Sequence, residues 1–154
     1  MYAIIRIRGS ISVNHDIEDT LKLLHLTRVN HCVLYKESEK IDGMLHKGKD
    51  LITWGSVDSD TLTKLLLKKG AYYNADGKLV NLSELYPDET KMKKIADDLI
   101  SNKTTIKTLN LKPVFRLRPP RKGYERKGVK QPFSIGGALG NRREKINVLI
   151  KKMI

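Results

Sequence analysis

The sequence is poor in several residue types on which common protein functions depend. Its single cysteine, Cys32, cannot form an internal disulfide bond, and we expect it to be a small buried residue within a strand. The four histidines are not spaced like pairs of metal ligands, either with one another or with Cys32. We therefore expect neither a metal site nor a cofactor.

Long apolar segments are missing as well. No run approaches the roughly 18 apolar residues of a membrane-spanning helix. Arg6 and Arg8 interrupt the only early apolar run, so that run does not resemble a signal peptide. We expect a soluble, cytoplasmic protein without a membrane partner, made of one domain or of a small domain with a substantial appendage.

Patterns that support catalysis are equally scarce. Residues 134–140 contain Gly-Gly-x-x-Gly, but no strand precedes them and no Lys-Ser or Lys-Thr follows, as a phosphate-binding nucleotide loop requires. Asp97 and Asp98 are neighbours on a predicted helix, where their carboxylates point apart and cannot share a metal. We predict no catalytic residue and no small-molecule substrate, and hence a protein that is not an enzyme.

What the sequence does contain is positive charge, concentrated near its C-terminal end. Residues 1–111 carry 17 basic and 15 acidic side chains, whereas residues 112–154 carry 13 basic and two acidic ones. This asymmetry indicates a nucleic acid or an anionic membrane as partner. The apolar stripe of the last predicted helix resembles core rather than a membrane-binding face, and no helix-turn-helix element favours sequence-specific DNA recognition. RNA is the partner that remains.

The most basic stretch, residues 112–145, is called the strap below. It holds eleven Lys or Arg residues against two acids, together with four Pro and five Gly, and its few apolar residues give it little means of burying a core. Ordering one residue costs roughly 1–2 kcal/mol of backbone entropy, so we expect an RNA phosphate backbone to offset that cost. Isolated aromatic residues among the cations favour stacking on unpaired bases. The strap residues expected to bind RNA are Arg116, Arg118, Arg121, Lys122, Tyr124, Arg126, Lys127, Lys130, Arg142 and Arg143.

Local patterns predict the order β-α-β-α-β over residues 1–57. Residues 2–8 alternate as a strand, with Arg6 and Arg8 on one face and apolar residues on the other. These two arginines are either solvated or in contact with an RNA backbone. The remaining elements are a helix over residues 17–26, a strand over 30–36, a short helix over 41–47 and a strand over 51–55.

The middle of the chain is predicted to be mostly helical. The helices cover residues 58–69, a segment that opens at Pro87 and continues to about residue 100, and one or two turns within 105–111. Between the first two lies a weak region, residues 72–85, in which Asp76-Gly77 signals a turn, within either a short hairpin or a loop.

The strap itself is predicted to begin as a strand and to lead into a helix. Residues 114–118 alternate as a strand that joins the first sheet, and Pro119-Pro120 ends it. An extended, turning loop follows over residues 121–140. Asn141 matches the N-cap of a terminal helix, which places Arg142 and Arg143 in the first turn, where positive charge opposes the helix dipole. Either a phosphate binds there or the two arginines are simply screened.

We therefore divide the chain into three parts. Residues 1–57 form the β-α-β-α-β core, and residues 58–111 form a helical extension packed on it. Residues 112–154 form the basic RNA-binding strand, loop and terminal helix.

Two groups of motifs resemble one known family. Residues 20–33, which include Arg28-Val-Asn30-His31, together with Gly43-Met44 and Lys47, resemble the large-subunit ribosomal protein family numbered thirty in bacteria and seven in eukaryotes. Asp42 is a departure, because the bacterial pattern commonly has Arg before the glycine. The strap is similar to that of archaeal members, in the motifs Arg118-Pro-Pro-Arg121-x-Gly123, Gly128-Val-Lys130, Pro132 and Gly136-Gly137-x-Leu139-Gly140.

The resemblance implies an α+β fold with a ferredoxin-like β-α-β-α-β core and an antiparallel sheet, with additional helices and an extended basic strap that ends in a helix. It also implies a structural constituent of the large ribosomal subunit, with ribosomal RNA and neighbouring ribosomal proteins as partners. By the same resemblance, the residues near RNA would be Arg8, Gly9, Ser10, Arg28, Asn30, His31, Gly43 and Lys47. Arg6 and Lys49 complete the candidate RNA-binding residues.

Two other functions remain open at this point. The chain could be a free regulatory RNA-binding module, which would be found mostly outside ribosomes. It could also be an RNA-processing enzyme with a basic substrate arm, which would need a cluster of acid, base or metal-binding groups. His31 also has an alternative role, as a hydrogen-bonded structural residue at the start of a strand.

Overall fold

The computed structural model describes residues 1–74, 76–86 and 88–154. The strands are β1 (Tyr2–Arg6), β2 (His31–Tyr35), β3 (Ile52–Ser56), β4 (Ala71–Tyr73), β5 (Leu79–Asn81), β6 (Val114–Arg116) and β7 (Gly140–Asn141). The α-helices are α1 (His15–Leu23), α2 (Glu39–Gly48), α3 (Ser59–Lys69), α4 (Leu82–Leu85), α5 (Glu89–Ile100) and α6 (Ile146–Met153). The predicted α+β class and the predicted order of the first five elements are confirmed.

Five strands form one mostly antiparallel sheet in the order β6-β2-β1-β3-β7. The central strand β1 is antiparallel to both β2 and β3, and β6 is antiparallel to β2. The strand predicted at residues 114–118 therefore does join the first sheet. The short strand β7 pairs in parallel with β3, and it was not predicted. The strap thus supplies both outer strands of the sheet, one at each edge.

Helices cover both faces of this sheet. On one face, Ile4 and Trp54 pack with Leu21 of α1 and Leu45 of α2. The opposite face carries a larger core that includes Ile5 together with residues of α3, α5 and α6. Since successive strand residues point to opposite faces, both sets of alternating positions in β1 are buried. This explains why the strand reads as an apolar run with Arg6 as its interruption.

The strap is folded onto the rest of the protein, contrary to the expectation that it buries little. Phe115, Leu117, Ala138 and Leu139 are all buried in the same core as Ile5. Residues from all three predicted parts of the chain contribute to that core. The expectation failed because these few apolar residues are separated by glycines and prolines, so they show no periodicity along the sequence.

Other differences concern the ends of elements. The terminal helix α6 begins only at Ile146, after a 3₁₀ turn over Arg143–Lys145, so the prediction that Arg142 and Arg143 lie in its first turn is wrong. Residues 106–110 form hydrogen-bonded turns rather than a helix. Pro87, where a helix was predicted to open, lies outside the described residues.

The weak region of residues 72–85 contains the suggested hairpin, made of β4 and β5, followed by the short helix α4. Gly77 adopts a φ of 72° at the predicted turn, and its N–H donates to the carbonyl of Asn74 over 2.8 Å. Within the described part of the chain, no helix is both long and apolar enough to span a membrane.

Candidate nucleic-acid interface

Although Gly43 lies in the middle of α2, most of the candidate residues lie in segments that meet at one end of the five-stranded sheet. β1 ends there, β2 and β3 begin there, and the register pairs His31 with Arg116 at the end of β6. Gly140, at the start of β7, pairs with Thr53 near the start of β3. Consequently the loop between β6 and β7 crosses from one sheet edge to the other at this end. It passes the loops that follow β1 and precede β2.

Most of the predicted RNA-binding side chains are exposed to solvent. Arg8 is half-buried, and its Nη1 donates to the carbonyl of Asp50 over 3.2 Å, which places it beside Lys49 at the end of α2. The exposed candidates are Gly9, Ser10, Arg28, Gly43, Lys47, Lys49, Arg116, Arg118, Arg121, Lys122, Arg126, Lys127, Lys130 and Arg143. Their charges are therefore available to a polyanion.

Arg6 is an exception, because its side chain is only 2% exposed. Its Nε donates to the carbonyl of Arg8 over 2.9 Å, and its Nη1 donates to the carbonyls of Leu26 and Thr27 over 2.7 and 3.0 Å. Its Nη2 donates to Ser10 Oγ over 2.5 Å. Burial lowers the pKa of this guanidinium. The interpretation of Arg6 as a solvated arginine is therefore wrong, because its guanidinium joins the loops before and after α1. Its contact with RNA stays a prediction, although its side chain is directed into the protein.

Arg142 is the second exception, with 3% exposure. Its two terminal nitrogens bind the two carboxylate oxygens of Glu125, with a distance of 2.7 Å from Nη2 to Oε2. Nε donates to Thr53 Oγ1 and Nη2 to the carbonyl of Ala138, each over 3.0 Å. The guanidinium carbon also lies 4.6 Å from the centre of the Phe133 ring. These partners enclose the guanidinium within the protein, and its predicted contact with RNA stays a prediction.

His31 lies among positive charges and is 8% exposed. Its Nδ1 is 3.4 Å from Thr27 Oγ1. Burial lowers the pKa of His31, and the positive charges of four neighbouring side chains lower it further. These neighbours are Arg116, Arg28, Arg6 and Lys112. The ring is therefore neutral near pH 7, and the surrounding charge favours an anion at this edge of the sheet.

Asn30 connects three segments at the same place. It adopts a left-handed backbone with a φ of 64°. Its N–H donates to the carbonyl of Arg6 over 2.8 Å, and its carbonyl accepts from the N–H of Leu117 over 3.1 Å. Its side-chain oxygen accepts from the Tyr124 hydroxyl. Asn30 therefore joins β1, the turn before β2 and the strap, in addition to any contact with RNA.

A cleft of about 630 Å³, on the scale of a small-ligand site, opens where α2, β3 and the strap meet. Lys49 and Lys130 both line it, which brings a residue of the predicted core and one of the strap to a single concavity. His46 and Trp54 also line it, with ring centroids 6.4 Å apart. Among residues 1–74, 76–86 and 88–154, no group of three His, Cys, Asp or Glu side chains could hold a metal ion.

Sequence reasoning missed the contribution of Glu125. It is one of two acids in the strap, and it pairs with a residue 17 positions away. An isolated acid in a basic stretch could have been recognised as a candidate partner for a buried arginine, but its distance along the chain left the partner unidentified.

Comparison with known proteins adds a further observation. Residues 2–52 match the family model described as ribosomal protein L30p/L7e. The chain is 48% identical to large ribosomal subunit protein uL30 of Methanococcus maripaludis, over 99% of each chain. It is 47% identical to the uL30 protein of Nanoarchaeum equitans and 44% identical to that of Methanosphaera stadtmanae, again over at least 99% of both chains. The similarity therefore includes the strap as well as the β-α-β-α-β core.

Proposed function

Because the chain belongs to the ribosomal protein L30p/L7e family, we propose that it is a structural constituent of the large ribosomal subunit and binds ribosomal RNA. The observation that carries this proposal is the convergence of most of the candidate residues at one end of the sheet. There the loop between β6 and β7 carries exposed cations past the loops that hold Arg8 and Arg28. We propose neighbouring ribosomal proteins as further partners and the cytoplasmic ribosome as its location.

RNA binding at this surface would be mainly electrostatic. Each exposed Lys or Arg that neutralises a phosphate releases a condensed counterion, and that release drives association at low salt. Gly9 and Gly43 have no atom within 4 Å of the position that a Cβ would occupy, so an RNA backbone can approach the chain closely at both. Recognition of this kind depends on the shape and charge of folded RNA more than on base sequence.

We propose a division of roles among the candidate residues. Arg6, Asn30 and Arg142 hold loops in place through hydrogen bonds within the protein. The exposed cations make the contacts with phosphates, and Tyr124 and His31 lie half-buried or buried beneath them. In this arrangement the core of residues 1–57 docks on RNA by its loops, and residues 112–154 extend the basic surface. Residues 58–111 pack on the sheet face opposite α1 and α2 and support it.

An RNA-processing enzyme is the competing function, and the chemistry of the site argues against it. A general acid or base must be free to exchange a proton with substrate. Glu125, the acid that the strap places at this surface, is occupied by Arg142. Burial, the largest single effect, raises the pKa of Glu125, but the hydrogen bond from Arg142, a backbone hydrogen bond and the charges of Arg142 and Lys152 together keep it below its ordinary value. We therefore propose a binding role without catalysis.

Sedimentation of a native cell extract tests the proposed function. In a magnesium-containing gradient, we expect the chain to migrate with the large ribosomal subunit and to remain there after a moderate salt wash. The wash removes proteins held only by weak, non-specific charge interactions. Recovery of the chain at the top of the gradient would contradict the proposal and favour a free regulatory module or an enzyme.

A further inference from the structure

The loop of the strap has little regular structure to keep it in place. Between β6 and β7, the only regular element among these residues, all of which the structure describes, is the 3₁₀ turn Phe133–Ile135. Yet this loop carries six of the exposed candidate cations, the first of which is Arg118. The other five are Arg121, Lys122, Arg126, Lys127 and Lys130. Contacts other than regular secondary structure must therefore hold these cations in position.

The pair formed by Arg142 and Glu125 supplies such contacts. Glu125 lies on the turn that carries Arg126 and Lys127, and its carbonyl accepts from the N–H of Gly128 over 2.9 Å. Arg142 ties this turn to the sheet, because the same guanidinium also binds the side chain of Thr53. One charge pair, made of a buried arginine and a partly exposed glutamate, thus fixes the turn relative to the sheet edge.

Backbone hydrogen bonds extend this order to the rest of the loop. The N–H of Lys127 donates to the carbonyl of Gly136 over 3.2 Å, and the N–H of Ala138 donates to the carbonyl of Gly128 over 3.1 Å. The carbonyl of Ala138 in turn accepts from Arg142. The two limbs of the loop are therefore joined to each other and to the same guanidinium.

We propose that Arg142 and Glu125 are positioning residues, which hold the strap in its RNA-binding shape before RNA arrives. The proposal deepens the proposed function and rests on it. A loop that is ordered during folding loses its conformational entropy before it meets RNA. Binding then orders fewer residues, and the affinity is higher. The strap would then present its cations as a preformed surface instead of folding on the RNA.

The two acids of the strap allow a matched test, because electrostatics and positioning predict opposite results. Glu125→Gln and Glu144→Gln each remove one negative charge from the strap. Glu144 is exposed, and within the described ranges its side chain makes no ion pair. Charge alone predicts that both variants bind RNA slightly more tightly. Positioning predicts that Glu125→Gln binds more weakly than Glu144→Gln, although their net charges are equal.

The experiment measures the affinity of each full-length variant for deproteinised large-subunit ribosomal RNA over a range of salt concentrations. We expect Glu125→Gln to bind about tenfold more weakly than Glu144→Gln, since ordering even one more residue on binding costs about that much. We also expect a shallower salt dependence for Glu125→Gln, because fewer cations reach phosphates at once. A smaller fraction of folded protein would lower the apparent affinity without changing that slope.

Limited digestion with trypsin in the absence of RNA gives an independent readout. Trypsin cleaves after Lys and Arg, so a disordered strap would be cut after Arg126, Lys127 and Lys130. We expect these bonds to resist cleavage in the wild-type protein and to be cut faster in Glu125→Gln and in Arg142→Lys, which keeps the charge but loses the planar fork.

The outcomes separate this inference from the proposed function. Rapid cleavage of the wild-type strap without RNA would overturn the inference even if the variants failed to fold. Equal RNA affinity for Glu125→Gln and Glu144→Gln would overturn it as well. A wild-type protein that does not bind the ribosomal RNA, while its strap resists trypsin, would instead contradict the proposed function.

Discussion

The hydroxyl of Tyr124 donates a hydrogen bond to the side-chain oxygen of Asn30 over 3.3 Å, across 94 positions of the chain. Asn30 is held in a left-handed conformation, and its carbonyl also accepts from the N–H of Leu117 in the strap. Both Asn30 and Tyr124 were predicted to bind RNA, yet in the protein their polar groups bond to each other. This contact therefore joins the turn before β2 to the strap.

Loss of this bond is expected to reduce stability modestly. Tyr124→Phe should lower the free energy of unfolding by about 1 kcal/mol, the usual net value of one hydrogen bond. Asn30→Ala should lower the free energy of unfolding by about 1–2 kcal/mol more than Tyr124→Phe does, because alanine is disfavoured in the left-handed region. Urea denaturation measures both, and Asn30→Gly is the control that removes the side chain without the strain. An Asn30→Ala variant no less stable than Asn30→Gly would contradict this account.

Arg6 and Arg116 are expected to respond oppositely to substitution, although both were predicted as RNA ligands. Arg6→Met removes a buried guanidinium and leaves the carbonyls of Leu26 and Thr27 without their donor, so we expect a loss of about 3 kcal/mol in unfolding free energy. Arg116→Met, at an exposed position, should change stability by less than about 0.5 kcal/mol and weaken RNA binding.

Thermal unfolding and RNA titration of the two variants test this contrast. If Arg6→Met unfolds like the wild type and Arg116→Met is the destabilised one, the assignment of structural and RNA-binding roles is reversed.

The neutral ring of His31 predicts a pH dependence of stability. The pKa of His31 is lowered in the folded protein by burial and by nearby arginines, whereas in the unfolded chain it is about 6.5. The unfolded chain therefore binds a proton first as pH falls. The contribution of the neutral His31 ring to the free energy of unfolding is therefore fully present above about pH 6.5. It is lost as the pH decreases from there toward the pKa of His31 in the folded protein.

Urea denaturation of the wild type and of His31→Gln at pH 7.5 and 5.5 measures this contribution, with the variant as a baseline for other titrating groups. We expect the wild type to lose more stability than the variant over this interval. Equal losses would indicate that the ring titrates alike in the folded and unfolded states.

The exposed cations of the strap should affect affinity without affecting stability. Arg121→Ala and Lys130→Ala should each weaken binding to ribosomal RNA and reduce the log–log salt slope by about 0.7–0.9, the contribution of one phosphate contact. Melting temperatures should stay close to the wild-type value, because both side chains are exposed. Lys94→Ala on α5 is the control with the same change of charge outside the strap. If Lys94→Ala weakened binding by a similar amount, the loss would reflect net charge alone and would contradict the predicted phosphate contacts of Arg121 and Lys130.

Local patterns were sufficient for elements whose residues repeat at regular spacing. The alternation around Phe115 predicted β6 correctly, and the first five elements followed from the same kind of evidence. The burial of Arg6 could not be predicted, because it depends on helices covering both faces of the sheet. Likewise β7, with two residues, has too short a pattern to recognise, and the partner of Arg142 lies 17 positions away. These features depend on contacts between distant segments.

Gly43 lies at a position where the conformation and packing of the protein do not require a glycine. It lies exposed in the middle of α2, and a Cβ at this position would meet no atom within 4 Å. Its φ is not in the left-handed region. Glycine within a helix costs roughly 0.5–1 kcal/mol relative to alanine. A cost without a structural benefit suggests that the benefit arises in a complex, where an RNA backbone approaches the helix closely.

Gly43→Ala is therefore expected to change stability and RNA binding in opposite directions. The free energy of unfolding should rise by about 0.5–1 kcal/mol, because alanine has the higher helix propensity and restricts the unfolded chain. Affinity for large-subunit ribosomal RNA should fall, because the added methyl group occupies space that the RNA backbone would use. Urea denaturation and RNA titration of one protein preparation measure both, with Lys40→Ala, also exposed on α2, as a control for substitution on this helix. If Gly43→Ala is more stable and binds RNA as tightly as the wild type, RNA does not approach α2 at this position, and the candidate interface is confined to the end of the sheet and the strap.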